Sequence, residues 1–154
     1  SLNQYEIEDR LARYFNPYHK KINELLKDLK SKFNQALFWD AHSIRRYVPT
    51  IHENPFPDLI IGDNDSISCD TKFTKITKNE LMKSGLQVNY NHPFKGGYLT
   101  RSKGNPSQHI HAIQLEMCKD LYMKHNEKKY DKKKAAEIKK ILKNTFQHLI
   151  KSLI

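Results

Sequence analysis

The stretch Ala36-Leu37-Phe38-Trp39-Asp40-Ala41-His42-Ser43 passes from four apolar residues into a polar cluster. A short, continuous apolar run with polar flanks is the pattern of a strand buried on both faces. Leu59-Ile60-Ile61-Gly62 repeats it, Ile110 to Leu115 is a third such run, and Leu86 to Tyr90 reads as a further strand. Helical signals lie between them. Asn16-Pro17 reads as an N-cap and first helical position, after which Tyr18, Ile22, Leu25, Leu26, Leu29 and Phe33 recur at helical spacing as a buried face. Gln4 to Tyr14 is a weaker helical stretch with Tyr5, Leu11 and Tyr14 as its contacts, and another helix is expected around Lys78 to Lys83, closed by Gly85. From Asp131 onward, Ala135, Ile138, Leu142, Phe146, Leu149 and Leu153 make the stripe of a long amphipathic helix. Asp40 to Pro57, with Pro49, Pro55 and Pro57, reads as a long loop, Tyr98 to Thr100 as a strand, and Ser102 to Gln108 as a loop. Strands alternating with helices in this order predict an α/β fold, a layered mainly parallel or mixed sheet with flanking helices.

The chain has 154 residues, enough for one domain with its own core, so residues 1–154 are expected to form a single domain. Its apolar runs fall far short of the ~20 residues a membrane span needs, and the start does not read as a signal peptide. Cys69 and Cys118 are the only cysteines, read as reduced thiols of a cytoplasmic protein rather than as a disulfide framework. Lys+Arg 27 against Asp+Glu 17 gives a formal charge of +10, which raises the question of nucleic acid. The charge answers it by its location. Ten lysines and four acidic residues from Lys119 to Lys143 flank or lie along the last helix with few aromatics between them, the pattern of a solvated helix face. Specific nucleic-acid binding is not expected.

His42 and Glu116 each stand where an apolar strand run gives way to polar residues. In open α/β sheets ligands bind outside the carboxyl ends of strands, so the two are candidates to converge in one crevice. The plain alternative is a loop or N-cap histidine and an exposed strand-end acid. A histidine and a carboxylate can share metal chemistry, since catalytic zinc takes three protein ligands plus a water that a nearby carboxylate activates. In that reading His42 is a metal ligand, Glu116 the general base, and Asp40 a partner behind His42 or merely a turn acid. His19, His52, His92, His109 and His111 have no spacing that makes a local zinc motif, and His109 and His111 share one strand face, where packing is the expected role. Arg45 and Arg46 follow the His42 cluster and Arg101 follows Gly96-Gly97-Tyr98. Their planar forks suit carboxylates, so they are candidate holders of an anionic substrate, against the alternative of surface charge.

Four blocks, Asp40-Ala41-His42-Ser43-Ile44-Arg45, Pro57-Asp58-Leu59-Ile60-Ile61-Gly62, Phe94-Lys95-Gly96-Gly97-Tyr98-Leu99-Thr100-Arg101 and His111-Ala112-Ile113-Gln114-Leu115-Glu116-Met117, resemble the N-formylglutamate amidohydrolase (N-formylglutamate deformylase) family in content and order. The Tyr18-His19 and Tyr122-Met123 pairs also look like family features. The resemblance covers the C-terminal portion of the family pattern. It implies a fold like the zinc-dependent exopeptidases, without their N-terminal strands, as part of a larger amidohydrolase domain. It implies hydrolysis of N-formyl-L-glutamate to formate and L-glutamate by a metal-activated water, in histidine degradation, with His42 matching a ligand of zinc or another divalent metal. Glu116 matches the catalytic glutamate, and Arg45 and Arg101 match positions that hold substrate carboxylates. Only His42 is assigned as a ligand among these residues, so tight metal binding by this chain alone is not expected. Sheet surface left uncovered by the absent strands makes self-association an expectation. Two rival readings stay open: a hydrolase of another N-acyl amino acid, and a non-catalytic degenerate fragment or basic binding module.

Overall fold

In the computed structural model, which describes residues 2–124 and 126–154, a four-stranded mixed sheet carries helices on both faces. The strands are β1 (Ala36–Ile44), β2 (Leu59–Gly62), β3 (Val88–Tyr90) and β4 (Ile110–Cys118), in the order β1-β4-β2-β3. β1 runs parallel to β4 and β3 parallel to β2, while β2 and β4 are antiparallel. The helices are α1 (Gln4–Arg10), α2 (Asn16–Phe33), α3 (Thr71–Met82), α4 (Tyr98–Lys103) and α5 (Lys132–Leu153). No helix among the described residues is long and apolar enough to cross a membrane.

Alternate residues of a strand point to opposite faces, which divides the sheet into two surfaces. Leu59, Ile61, Ile113 and Leu115 are buried on one, where Phe73 and Leu81 of α3 and Leu149 of α5 pack against them. Trp39 joins this core edge to face with Phe146 of α5, ring centroids 4.9 Å apart. The other surface carries the residues at the intervening positions, among them Asp40, His42, Gln114 and Glu116.

Several elements differ from the sequence expectations for definite reasons. Asn16 is not an N-cap: it has helical φ −62 and ψ −46, and the chain runs from α1 through a wide π-helical turn at Leu11–Phe15 into α2. Pro17 has no N–H to give and its ring crowds the carbonyl four residues back, and a widened turn relieves both. The cap lies at Asn3, whose side chain accepts from the Glu6 N–H at 2.8 Å. Of the expected α2 face only Leu26 is buried, while Tyr18, Leu25, Leu29 and Phe33 are exposed, as are Tyr5, Leu11 and Tyr14 before it. β1 extends through Ile44, so Asp40 and His42 belong to the strand and the loop starts after it. α3 begins at Thr71 rather than near Lys78, capped by Asp70, which accepts from the Lys72 N–H. Tyr98 to Thr100 is the start of a helix instead of a strand: Gly97 supplies an extended N-cap, and a three-residue apolar run carries no period by which to tell the two apart. The segment expected as loop after it contains the end of α4 and a 3-10 turn at Pro106–Gln108.

Candidate functional site

β1 and β4 pair so that Asp40 faces Gln114 and His42 faces Glu116. Register partners share a face, which puts all four side chains on the surface away from the α3 and α5 core. β2 completes the row, with Ile60 beside Glu116 and Gly62 beside Gln114. His42 and Glu116 are therefore cross-strand neighbours on one face.

Three of the four polar groups have a hydrogen-bond partner that fixes them. The Asp40 carboxylate is nearly buried, at 6% exposure against 46% for His42. Its Oδ2 accepts from the Thr100 hydroxyl at 2.9 Å and its Oδ1 lies 2.9 Å from His42 Nε2. A carboxylate accepts and does not donate, so the shared proton sits on Nε2 and the lone pair of the neutral ring is on Nδ1. Gln114 Oε1 accepts from the Gly97 N–H at 2.6 Å and so ties the start of α4 to the sheet. Glu116 has no hydrogen-bond partner among the described residues. Beside it Ile60, Phe56 and Cys118 form an apolar cluster with Ile44, Val48 and Phe94. Burial raises the Glu116 carboxyl above the usual glutamate range; the neighbouring His42 and Lys119 charges lower it and Asp40 raises it further.

Two glycines bring the 95–97 segment close to this surface. A Cβ on Gly62 would lie 2.7 Å from Gly96 N and from the Lys95 carbonyl carbon, so any larger residue would push the segment off the strand. Gly96 itself has φ +120, which side-chain-bearing residues rarely adopt, and its Hα side abuts the Thr100 methyl. Behind the strand ends, the fully buried Asp63 accepts from Tyr90 OH, Asn91 Nδ2, Thr74 Oγ1 and the Ser66 N–H. The buried network holds the turns after β2 and β3 in place.

The three candidate arginines have different surroundings. Arg46 is fully engaged by the fold: Nε and Nη2 reach Asp120 at 2.8 Å, Nη2 reaches Asp58 at 2.6 Å, and Nη1 donates to the Phe56 carbonyl at 2.9 Å. Hydrogen bonding to Asp120 raises its already high pKa further. Arg45 donates through Nε to Glu127 Oε2 at 2.8 Å, and the other Glu127 oxygen takes the Arg46 backbone N–H. Arg101 gives only Nη1 to a protein acceptor among the described residues, the Gly96 carbonyl at 3.0 Å. His111 is buried against Phe73, with Nδ1 accepting from the Asp70 N–H, which is a packing role.

Among the described residues no three or more of His, Cys, Asp and Glu gather as a metal-binding group. A catalytic zinc takes about three protein ligands, so His42 with Asp40 and Glu116 does not by itself make one. Thr100, in a run whose local pattern reads as strand, and Asp63, whose partners come from three separate segments, carry no local signal of these roles. Asp58 and Asp120 were likewise out of reach, since their link to Arg46 spans 12 and 74 residues.

The family model for N-formylglutamate amidohydrolase matches residues 1–123. An N-formylglutamate deformylase of Pseudomonas aeruginosa is 42% identical over 114 residues, 73% of this chain and 43% of that protein. One of Pseudomonas putida is 34% identical over 142 residues, 91% of this chain and 53% of that protein. The chain thus spans about half the length of the curated relatives it matches. The crystal structure of an N-formylglutamate amidohydrolase from Ralstonia eutropha JMP134 has the same fold, with TM-score 0.81 at 24% identity over 97% of this chain and 54% of that one. A gene product of Agrobacterium tumefaciens follows at TM-score 0.69 and 16% identity, over 99% of this chain and 57% of that one. With the family match extending over both strands that carry His42 and Glu116, and with these relatives beside it, the chain belongs to the N-formylglutamate amidohydrolase family.

Proposed function

We propose that this chain carries the His42 and Glu116 part of an active site that hydrolyses the formamide of N-formyl-L-glutamate to formate and L-glutamate. The observation that carries the reading is the in-register pairing of His42 with Glu116 on one face of the sheet, with the Glu116 carboxyl raised above the usual glutamate range chiefly by burial. Cleaving a formamide needs a base to take a proton from water and an acid to return one to the leaving nitrogen. A carboxyl whose pKa is raised toward the working pH can do both in turn. Glu116 has that character and no competing hydrogen bond among the described residues. Asp40 and Thr100 hold the His42 ring in one orientation with Nδ1 available.

The family resemblance brings zinc or another divalent metal with it, and His42 is the imidazole this chain would contribute. The described residues do not complete such a site, so the roles proposed for Glu116, Asp40 and Thr100 are derived from those side chains alone. For the substrate carboxylates we favour Arg101, most of whose fork is uncommitted, and then Arg45, whose remaining nitrogens extend beyond Glu127. Arg46 serves the architecture that holds the end of β1. A cytoplasmic setting and a place in histidine breakdown accord with this chemistry, and the two buried free cysteines accord with the former.

Formate release from N-formyl-L-glutamate tests the proposal. The purified chain is assayed alone and after fusion to the N-terminal portion of a curated relative. Activity is expected in the fusion and a loss of about 10²-fold or more in its Glu116→Gln form, the usual worth of a general acid–base group. A folded fusion that releases formate equally well with the Glu116→Gln substitution contradicts the role given to Glu116, and one that releases none contradicts the substrate.

A further inference from the structure

We propose that Thr100 is a positioning residue of the candidate site: through its hydroxyl it fixes Asp40, and through Asp40 it selects the ring tautomer that His42 presents. Three contacts carry this. Thr100 is fully buried and donates to Asp40 Oδ2 at 2.9 Å. Asp40, almost as buried, uses its other oxygen on His42 Nε2 at the same distance. The Thr100 methyl meanwhile fills the space beside Gly96, where a Cβ would come within 2.9 Å of it.

The two halves of one small side chain therefore face different tasks. The methyl shapes the glycine segment at the start of α4, and the hydroxyl occupies one carboxylate oxygen. A carboxylate with one oxygen taken by a fixed donor has a set orientation and offers its remaining oxygen in one direction. His42 meets it with Nε2–H. Without the hydroxyl, the carboxylate is free to turn about its Cβ–Cγ bond, and nothing else among the described residues accepts from or donates to Oδ2. Valine matches threonine in shape and lacks the hydroxyl, whereas serine keeps the hydroxyl and lacks the methyl. The pair separates the two tasks.

The proposal rests on reading the His42 face as the site, but its test does not use activity, so failure of the hydrolase reading would be seen separately. Long-range ¹⁵N–¹H correlation spectra of the 154-residue chain, taken at a pH where the imidazole is neutral, report which ring nitrogen of His42 carries the proton. The wild type is expected to show a protonated Nε2 and an unprotonated Nδ1. In Thr100→Val the tautomer ratio is expected to fall roughly three- to tenfold toward that of a free histidine, the weight of one hydrogen bond, with backbone amide shifts largely unchanged. Thr100→Ser is expected to keep the wild-type ratio. Wild-type tautomers in Thr100→Val, or equal perturbation in the valine and serine variants, would overturn the proposal in favour of packing alone. Should the valine variant fail to fold, the wild type decides: a Thr100 hydroxyl proton protected from exchange and in contact with the Asp40 carboxyl is expected, and a freely exchanging one overturns it.

Discussion

On β4, His111, Ile113, Leu115 and Met117 point to one side of the sheet, and Ala112, Gln114 and Glu116 to the other. The first set is shut in by α3 and α5, with Ile113 and Leu115 all but inaccessible to water. The second set shares its surface with Asp40 and His42, and its cover is a short helix, α4, a loop and a small apolar cluster. The same strands thus supply stability on one side and reactive groups on the other. A carboxyl such as Glu116 can stay without a hydrogen-bond partner because the packing behind it holds the strand whatever the state of its front face. The contrast teaches that the cost of an unsatisfied group at a site is offset by a core one residue away.

Substitutions on the two sides should differ accordingly. Ile113→Ala removes a fully buried side chain from the helix-covered face and is expected to lower unfolding free energy by about 2–5 kcal/mol. His42→Ala on the opposite face removes a half-exposed ring but leaves Oδ1 of the nearly buried Asp40 without its partner, so in the same denaturant titration the expected loss is smaller, about 1–2 kcal/mol. Equal losses would mean that the His42 side chain is as much part of the core as Ile113 and break the contrast. Arg46→Ala tests the rim between the two surfaces. It strands Asp58 and Asp120, and since these side chains are 22% and 32% exposed the expected loss is about 1–3 kcal/mol, less than for a fully buried pair. High salt should change the wild-type stability much less than the substitution does.

The smallest effect belongs to Glu116 and has a definite sign. Its carboxyl is raised in the folded chain, chiefly by burial, so between the ordinary glutamate pKa and this raised one the native state holds more protons than the unfolded state. Stability from this group is complete below that window and is lost as pH rises through it. Glu116→Gln should therefore leave stability unchanged at acid pH, raise it slightly at neutral pH, and flatten the slope between, as followed by melting temperature against pH.

Much of this arrangement was legible in the residues. The apolar runs located β1, β2 and β4 because a strand covered on both faces needs a continuous run, and His42 and Glu116 were picked out by standing where those runs stop. The long helix α5 was found from a stripe that does become its inner face, with Ala135, Ile138 and Leu149 buried. α2 carries a similar stripe and buries Leu26 alone. Periodicity records that a helix has an apolar side, not whether these 154 residues cover it. Arg45, Arg46 and Arg101 looked alike in sequence, and only distant partners, Glu127, Asp58 and Asp120, set them apart. Thr100 and Asp63 act through hydrogen bonds across 60 residues and 11 to 28 residues, contacts that no local pattern encodes.

The most direct measurement is the carbon-13 titration of the Glu116 carboxyl in the wild type and in His42→Ala. If the two side chains face each other on a partly dry surface, Glu116 titrates above the ordinary glutamate range, and higher still once the nearby imidazolium is removed. A carboxyl that titrates in the ordinary range in both proteins would contradict the pairing of His42 with Glu116 from which the proposed site is built.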